Sequence, residues 1–211
     1  GDYSAGLKLQ THSLTHVEQM TLMGGHDYDI TLNAAPSETY FTVNANNIHS
    51  TDHLRIDGSQ VVTGLVIQGG YGADMLIGSA TRGSAITSAG ADTMIGGAGN
   101  DRFTADSALA SISAGDGDDI VQITGAMGSQ SVIDAGAGAD QINIVGALGW
   151  RGVVDGGAGD DQLFFSGDNS TLDSRFVTNI ETFWLSGTVT ARDGLADGGN
   201  QLLIKGVYAL R

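Results

Sequence analysis

Gly96-Gly97-Ala98-Gly99-Asn100-Asp101-Arg102-Phe103-Thr104 is the stretch on which the reading of this chain turns. It has the form G-G-x-G-x-D-x-U-x, where U is a large apolar residue. The pattern recurs in register as GGYGADMLI (69–77), TSAGADTMI (87–95), AGDGDDIVQ (114–122), AGAGADQIN (135–143) and GGAGDDQLF (156–164). Its aspartates are Asp74, Asp92, Asp101, Asp119, Asp140 and Asp161, in steps of 18, 9, 18, 21 and 21 residues. The U positions, Leu76, Met94, Phe103, Val121, Ile142 and Leu163, are all apolar. One copy would mean little, because Gly and Asp gather in any turn. Six in register define a repeat.

Each part of the unit has its own physical role. Glycine adopts positive φ without a Cβ penalty, so a tight turn can aim several carbonyls at one centre. Aspartate adds a hard anionic oxygen, and carboxylates with carbonyls are the ligands Ca²⁺ prefers. The x-U-x triplet is a short strand whose middle side chain points inward while its neighbours point out. Two units make a coil of 18 residues, and coils stack at the strand spacing of about 4.8 Å. Asp74 then lies over Asp92, and Asp101 over Asp119. Unit charges at that spacing repel by about 1 kcal/mol in water and several-fold more near a protein surface. The chain's own cations are too few to cancel this, with nine Lys plus Arg against 24 Asp plus Glu. A divalent cation between the turns is the natural counter-charge. Mg²⁺ suits it less, because that ion demands a small strict octahedron and keeps its waters.

Composition narrows the rest. In 211 residues, 41% are hydrophobic and 6% aromatic, which favours a narrow core of Val, Ile, Leu and Met. Thirty-three glycines with one proline fit short strands and turns, not collagen. The net charge of −15 disfavours nucleic acid and anionic membrane surfaces as partners. There is no cysteine, hence no disulfide or thiolate site. No apolar run approaches a membrane span. No signal peptide is visible, and the chain, opening on Gly1-Asp2, reads as a piece of something longer.

Three regions are expected. Residues 1–66 carry short alternating strands without the motif, at Val17 to Met23, Tyr28 to Leu32, Tyr40 to Val43, Leu54 to Ile56 and Val62 to Ile67. A separate small β-sandwich is one reading of them. Metal-free coils of the same solenoid is the preferred one, because the strands run into Gly69 without a linker. Residues 67–165 form the acidic-turn repeat. The unit at Gly78 to Gly83 lacks its Asp, the one near Ala105 to Ala110 is degenerate, and from Gln122 the period is 21. Those longer coils keep the acidic turn on one side only. The expectation is a long ladder of Asp101, Asp119, Asp140 and Asp161 and a short one of Asp74 and Asp92. Residues 166–211 form a β-rich tail. Val177-Thr178-Asn179-Ile180-Glu181 and Leu185 mirror Leu14-Thr15-His16-Val17-Glu18 and Leu22, so the tail reads as the start of a next large repeat.

The nonapeptides from Gly69 to Phe164 resemble those of the RTX (repeats-in-toxin) family, in which this unit is a calcium-binding β-helix repeat. The flanking V-E and I-E segments are similar to spacers of long arrays in surface-layer proteins and large adhesins of Gram-negative bacteria. The resemblance implies an all-β fold, a right-handed parallel β-roll (a β-helix or solenoid) with several Ca²⁺ ions in the Gly-Asp-rich turns. It implies type I export in an unfolded state, then folding outside the cell where calcium is plentiful. It carries the ligand role onto Asp74, Asp92, Asp101, Asp119, Asp140 and Asp161, with backbone oxygens from Gly69, Tyr71, Gly96, Ala98, Asp116, Ala137 and Ala158.

Other residues have competing readings. Asp116, Asp118, Asp134, Asp155 and Asp160 lie in or beside the turns, either completing coordination or standing as solvated turn acids. His12, His16, His26, His49 and His53 precede the repeats and read as solvated, since the spacing of His12 and His16 suits zinc only on a helix. Glu18 and Glu181 lack a visible acid–base partner and read as polar edge residues. Trp150 and Trp184 read as apolar anchors in preference to sugar platforms. No G-x-S-x-G, Walker lysine or Cys nucleophile is present. Arg82, Arg102 and Arg151 stand singly, unlike the paired groups of a polysaccharide-cleaving groove. The chain is therefore expected not to be an enzyme. It reads as a calcium-binding structural or adhesive segment of a secreted or bacterial cell-surface protein. Further copies of itself in a lattice, or a surface glycan, are the expected partners besides calcium. The alternative is the export-and-folding module of an extracellular hydrolase whose catalytic domain lies elsewhere.

Overall fold

The computed structural model describes residues 3–9, 17–33, 40–106, 110–146, 152–167 and 170–191. Alternation of apolar and polar residues in segments of two to seven residues makes short, half-buried strands, and these form two parallel nine-stranded sheets. The first sheet runs Tyr3–Leu9, Tyr28–Leu32, Leu54–Asp57, Met75–Ile77, Thr93–Ala98, Ser111–Asp116, Val132–Ala137, Val153–Asp155 and Val177–Thr178. The second runs Gln19–Thr21, Tyr40–Asn44, Gly64–Gln68, Ser84–Ser88, Arg102–Ala105, Ile120–Ile123, Gln141–Val145, Gln162–Ser166 and Thr182–Ser186. The chain alternates between them, so each successive pair of strands is one coil of a parallel β-solenoid. Ser170–Leu172 and Val189–Ala191 form a small third sheet. No described residue is helical.

The strands before Gly69 belong to the same two sheets: Leu54–Asp57 pairs with Met75–Ile77, and Gly64–Gln68 with Ser84–Ser88. These strands therefore continue the sheets of the repeat region. The tail match at residues 14–16, His12, His16, Trp150, Arg151 and everything after 191 lie outside the described residues.

Two columns of inward side chains centre the core. One is Ile30, Ile56, Leu76, Met94, Ile112, Ile133, Val154 and Val177. The other is Val43, Ile67, Ile86, Phe103, Val121, Ile142, Leu163 and Phe183. All are buried, including every U residue of the repeat. Further buried columns flank these, Ala105, Ile123, Ile144, Phe165 and Leu185 forming one of them, so the core runs the length of the solenoid and each coil covers its neighbour.

The acidic turns are held open by glycines at positive φ, such as Gly138 (φ +145°). A Cβ there would run into the Gly117 carbonyl of the neighbouring coil. Gly138→Ala is expected to cost about 1–3 kcal/mol in backbone strain alone. The check is a denaturant midpoint at saturating calcium, and an unchanged midpoint would mean that the turns are not packed this closely.

Candidate metal centre

One edge of the solenoid carries the turns that leave the first sheet and enter the second. Arg102, Ile120, Gln141, Gln162 and Thr182 are register partners across the second sheet, so the residues just before them stack as well. Those residues are Asp101, Asp119, Asp140, Asp161 and Glu181. The four aspartates are at most 2% exposed. Each is tied to the next by one hydrogen bond. The Asp101 N–H donates to Asp119 Oδ1 at 2.7 Å, Asp119 N–H to Asp140 Oδ1 at 2.7 Å, and Asp140 N–H to Asp161 Oδ1 at 2.8 Å. Asp161 N–H ends the series on Glu181 Oε2 at 2.7 Å.

The ladder starts at Asp101 for a steric reason. The preceding unit has Gly83, where any Cβ would meet the Asn100 carbonyl. Protein donors take its place at Asp101: Ser84 N–H donates to Oδ1 and Gly97 N–H to Oδ2, the latter at 3.0 Å. Asp119, Asp140 and Asp161 lack the second of these bonds. Their Oδ2 atoms are buried and have no hydrogen-bond partner. A buried carboxylate oxygen without a partner carries a large desolvation cost, and a row of them calls for a cation. Backbone oxygens are at hand in the same turns. The carbonyls of Asp116, Ala137 and Ala158 line up along the edge, accepting from Gly99, Gly117 and Gly138 at 2.7–2.8 Å, and each retains a second lone pair. Among the described residues no three His, Cys, Asp or Glu side chains converge on one point. An ion here would take most of its ligands from the backbone, which is the ligand style of Ca²⁺ and unlike that of Zn²⁺.

A family model described as the RTX calcium-binding nonapeptide repeat (four copies) matches residues 84–107 and 153–172. These are RTX repeats. RTX nonapeptide repeats bind calcium ions, and they occur typically in secreted proteins. The matched windows hold Asp92, Asp101 and Asp161. Between them lie the 21-residue coils with Asp119 and Asp140, whose turns have the same hydrogen-bond ladder although the longer return loop breaks the nine-residue spacing. No curated protein and no solved structure matches the chain. The RTX segment is a structural calcium-binding module in its own right. Among the described residues no helix is long and apolar enough to cross a membrane.

The opposite edge holds the shorter RTX ladder. Asp74 N–H donates to Asp92 Oδ1 at 3.0 Å, and Gly70 N–H to Asp74 Oδ2 at 3.1 Å. By register, Ala110, Ser131 and Gly152 follow Asp92 on this edge, and none carries a carboxylate. Gly69 lies in the first turn with its N–H on the Thr87 carbonyl, and Tyr71 is exposed beside it. Gly96 is buried against Asp101 Oδ2, and Ala98 N–H donates to the Ala80 carbonyl.

Asp134 and Asp155 are placed elsewhere. They are register partners inside strands of the first sheet, and their buried neighbours Ile133, Ala135 and Val154 force them outward by the period of two. Both stand on the outer face, where Asp155 Oδ1 accepts from Asn179 Nδ2 at 2.7 Å. Asp116, Asp118 and Asp160 are exposed turn acids. Asp118 also latches coils together, its Oδ1 accepting from Ala139 N–H at 2.9 Å. Glu181 was missed as a ladder residue. The available signal was its position 20 residues after Asp161, one short of the preceding steps of 21.

Without metal, burial dominates the protonation of these groups. It raises Asp74 and Asp140, lifts Asp92, Asp101 and Asp161 to about 6, and lifts Asp119 to about 7, with neighbouring carboxylates adding to the last. A carboxyl whose folded pKa lies above its unfolded value favours the fold when protonated. That contribution is complete below the ordinary value near 4 and is lost as pH rises through 6 to 7. In chelator, β structure is therefore expected to increase as pH falls from 7.5 to 4.5. Calcium affinity moves the other way, because binding needs the ionised form. Circular dichroism across that range, with chelator and with calcium, should give opposite slopes; parallel slopes would refute the assignment of these carboxyls.

Proposed function

We propose that this chain is a calcium-folded structural segment of a secreted or cell-surface protein. The supporting observation is the row of buried, unpartnered Oδ2 atoms at Asp119, Asp140 and Asp161 beside stacked turn carbonyls. In this reading those aspartates, with Asp101 at the head of the row, face ions held by the carbonyls of Gly96, Ala98, Asp116, Ala137 and Ala158. Asp74 and Asp92 serve the opposite edge with the carbonyls of Gly69 and Tyr71. Residues 1–66 are a metal-free lead-in, 67–165 the calcium roll, and 166–211 a tail leading to another repeat. Asp134 and Asp155 are left out, being on the wrong face.

The function follows from the coupling of metal to fold. Calcium sites of extracellular modules have dissociation constants of about 10⁻⁴ to 10⁻³ M. A chain tuned to that range stays unfolded where calcium is scarce and becomes a stiff rod where it is abundant, which suits export through a narrow channel. The rod then acts as spacer or lattice element of a surface layer or adhesin. Circular dichroism in chelator and in calcium tests this, and magnesium serves as the control.

A further inference from the structure

The ladder does not stop at the last Gly-Asp turn. Beyond Asp161 the coil reverses in Thr178-Asn179-Ile180-Glu181, a tight turn with no glycine and no aspartate. Asn179 is the one non-glycine residue with positive φ (52°) among the described residues. Its carbonyl projects onto Gly156, together with Asp161 Oδ2, which lies 2.8 Å from where a Gly156 Cβ would sit. The same pairing surrounds Gly96, where Asp101 Oδ2 and the Ala114 carbonyl of the next coil meet. There is one difference. Asp101 Oδ2 is satisfied by Gly97 N–H, whereas Asp161 Oδ2, on a residue with no exposed surface, has no partner. Glu181 stands beside it, one carboxylate oxygen already fixed by Asp161 N–H. The charged groups that act on Asp161 are Asp140, Asp160 and Glu181, all acidic.

We propose that Asp161 Oδ2, the Asn179 carbonyl and the Glu181 carboxylate form a further divalent-cation site, which closes the calcium ladder at its C-terminal end. It rests on the reading that calcium binds between coils, and adds a gap in which only one of the two turns is a nonapeptide. Glutamate suits this position because the turn is short. Residues 156 and 161 are spanned by four residues, but 179 and 181 by one, and the longer side chain makes up the reach. Ile180, fully buried, anchors the turn to the core.

The test is a count of bound calcium by isothermal titration of the full chain, with Glu181→Gln as the variant. Glutamine keeps an acceptor for Asp161 N–H and removes the charge. The expected result is one ion fewer per chain, with an unchanged circular dichroism spectrum at saturating calcium. An equal count at equal affinity would overturn the proposal and leave the calcium roll intact; wild-type protein that binds no calcium would overturn both. If the variant fails to fold, terbium bound with Glu181 left in place decides. Trp184 lies in the strand that follows Glu181. Trp184→Phe is then expected to remove at least half of the tryptophan-sensitised terbium emission, and full retention of that emission would overturn the site.

Discussion

Stripped of calcium at neutral pH, this chain is expected to lose most of its β signal in far-UV circular dichroism and to regain it in one steep step as calcium returns. Millimolar magnesium should not substitute. The argument starts from the edge. Asp101, Asp119, Asp140 and Asp161 stack over one another, and among the described residues the ion pairs are those of His49, Arg55 and Arg175, none with a ladder aspartate. With a net charge of −15 the folded chain also repels itself as a whole. Against this stands a narrow core of mostly aliphatic side chains. At ten times its dissociation constant each calcium site contributes about 1.4 kcal/mol. Four such sites add roughly 5–6 kcal/mol, which is the scale of an ordinary domain's entire net stability. Metal is therefore large enough to decide whether the fold forms. A spectrum that is fully β in chelator would sink this account, and would mean that the apolar columns suffice without metal.

The sequence carried the architecture because a solenoid writes its geometry as a period. Steps of 18 and 21 between aspartates are coil lengths, and the x-U-x alternation names the inward residue, so Leu76 through Leu163 could be placed in the core without coordinates. The lead-in strands were legible for the same reason; Tyr28–Leu32 is observed as expected. What stayed hidden needs contacts between coils. Asp134 and Asp155 look like turn acids because glycines follow them closely, yet the buried Ile133 and Val154 turn them to the outer face. Asp101 looks the same as Asp119 in sequence, but Ser84, one coil away, and Gly97 occupy both of its oxygens. Glu181 lacks the glycines that mark the other turns of this ladder, so only its distance from Asp161 tied it to the row.

Asp140→Ala is expected to raise the calcium midpoint several-fold and to do so more than Asp101→Ala. Asp140 sits between Asp119 and Asp161, so its carboxylate borders two gaps of the ladder while Asp101 borders one. On the proposed ligation, removing it takes a ligand from both. It also strips the acceptor from Asp119 N–H, and an unsatisfied buried donor costs about 1–3 kcal/mol. Without metal this loss is offset, since the variant no longer buries a carboxyl whose ionisation is disfavoured by desolvation. The sign of the net effect therefore depends on metal. In chelator at neutral pH, Asp140→Ala should be no less structured than wild type; at limiting calcium it should be markedly less so. Parallel calcium titrations of both proteins separate the two contributions. A structural role without metal would shift both conditions in the same direction, whereas ligation predicts the crossing.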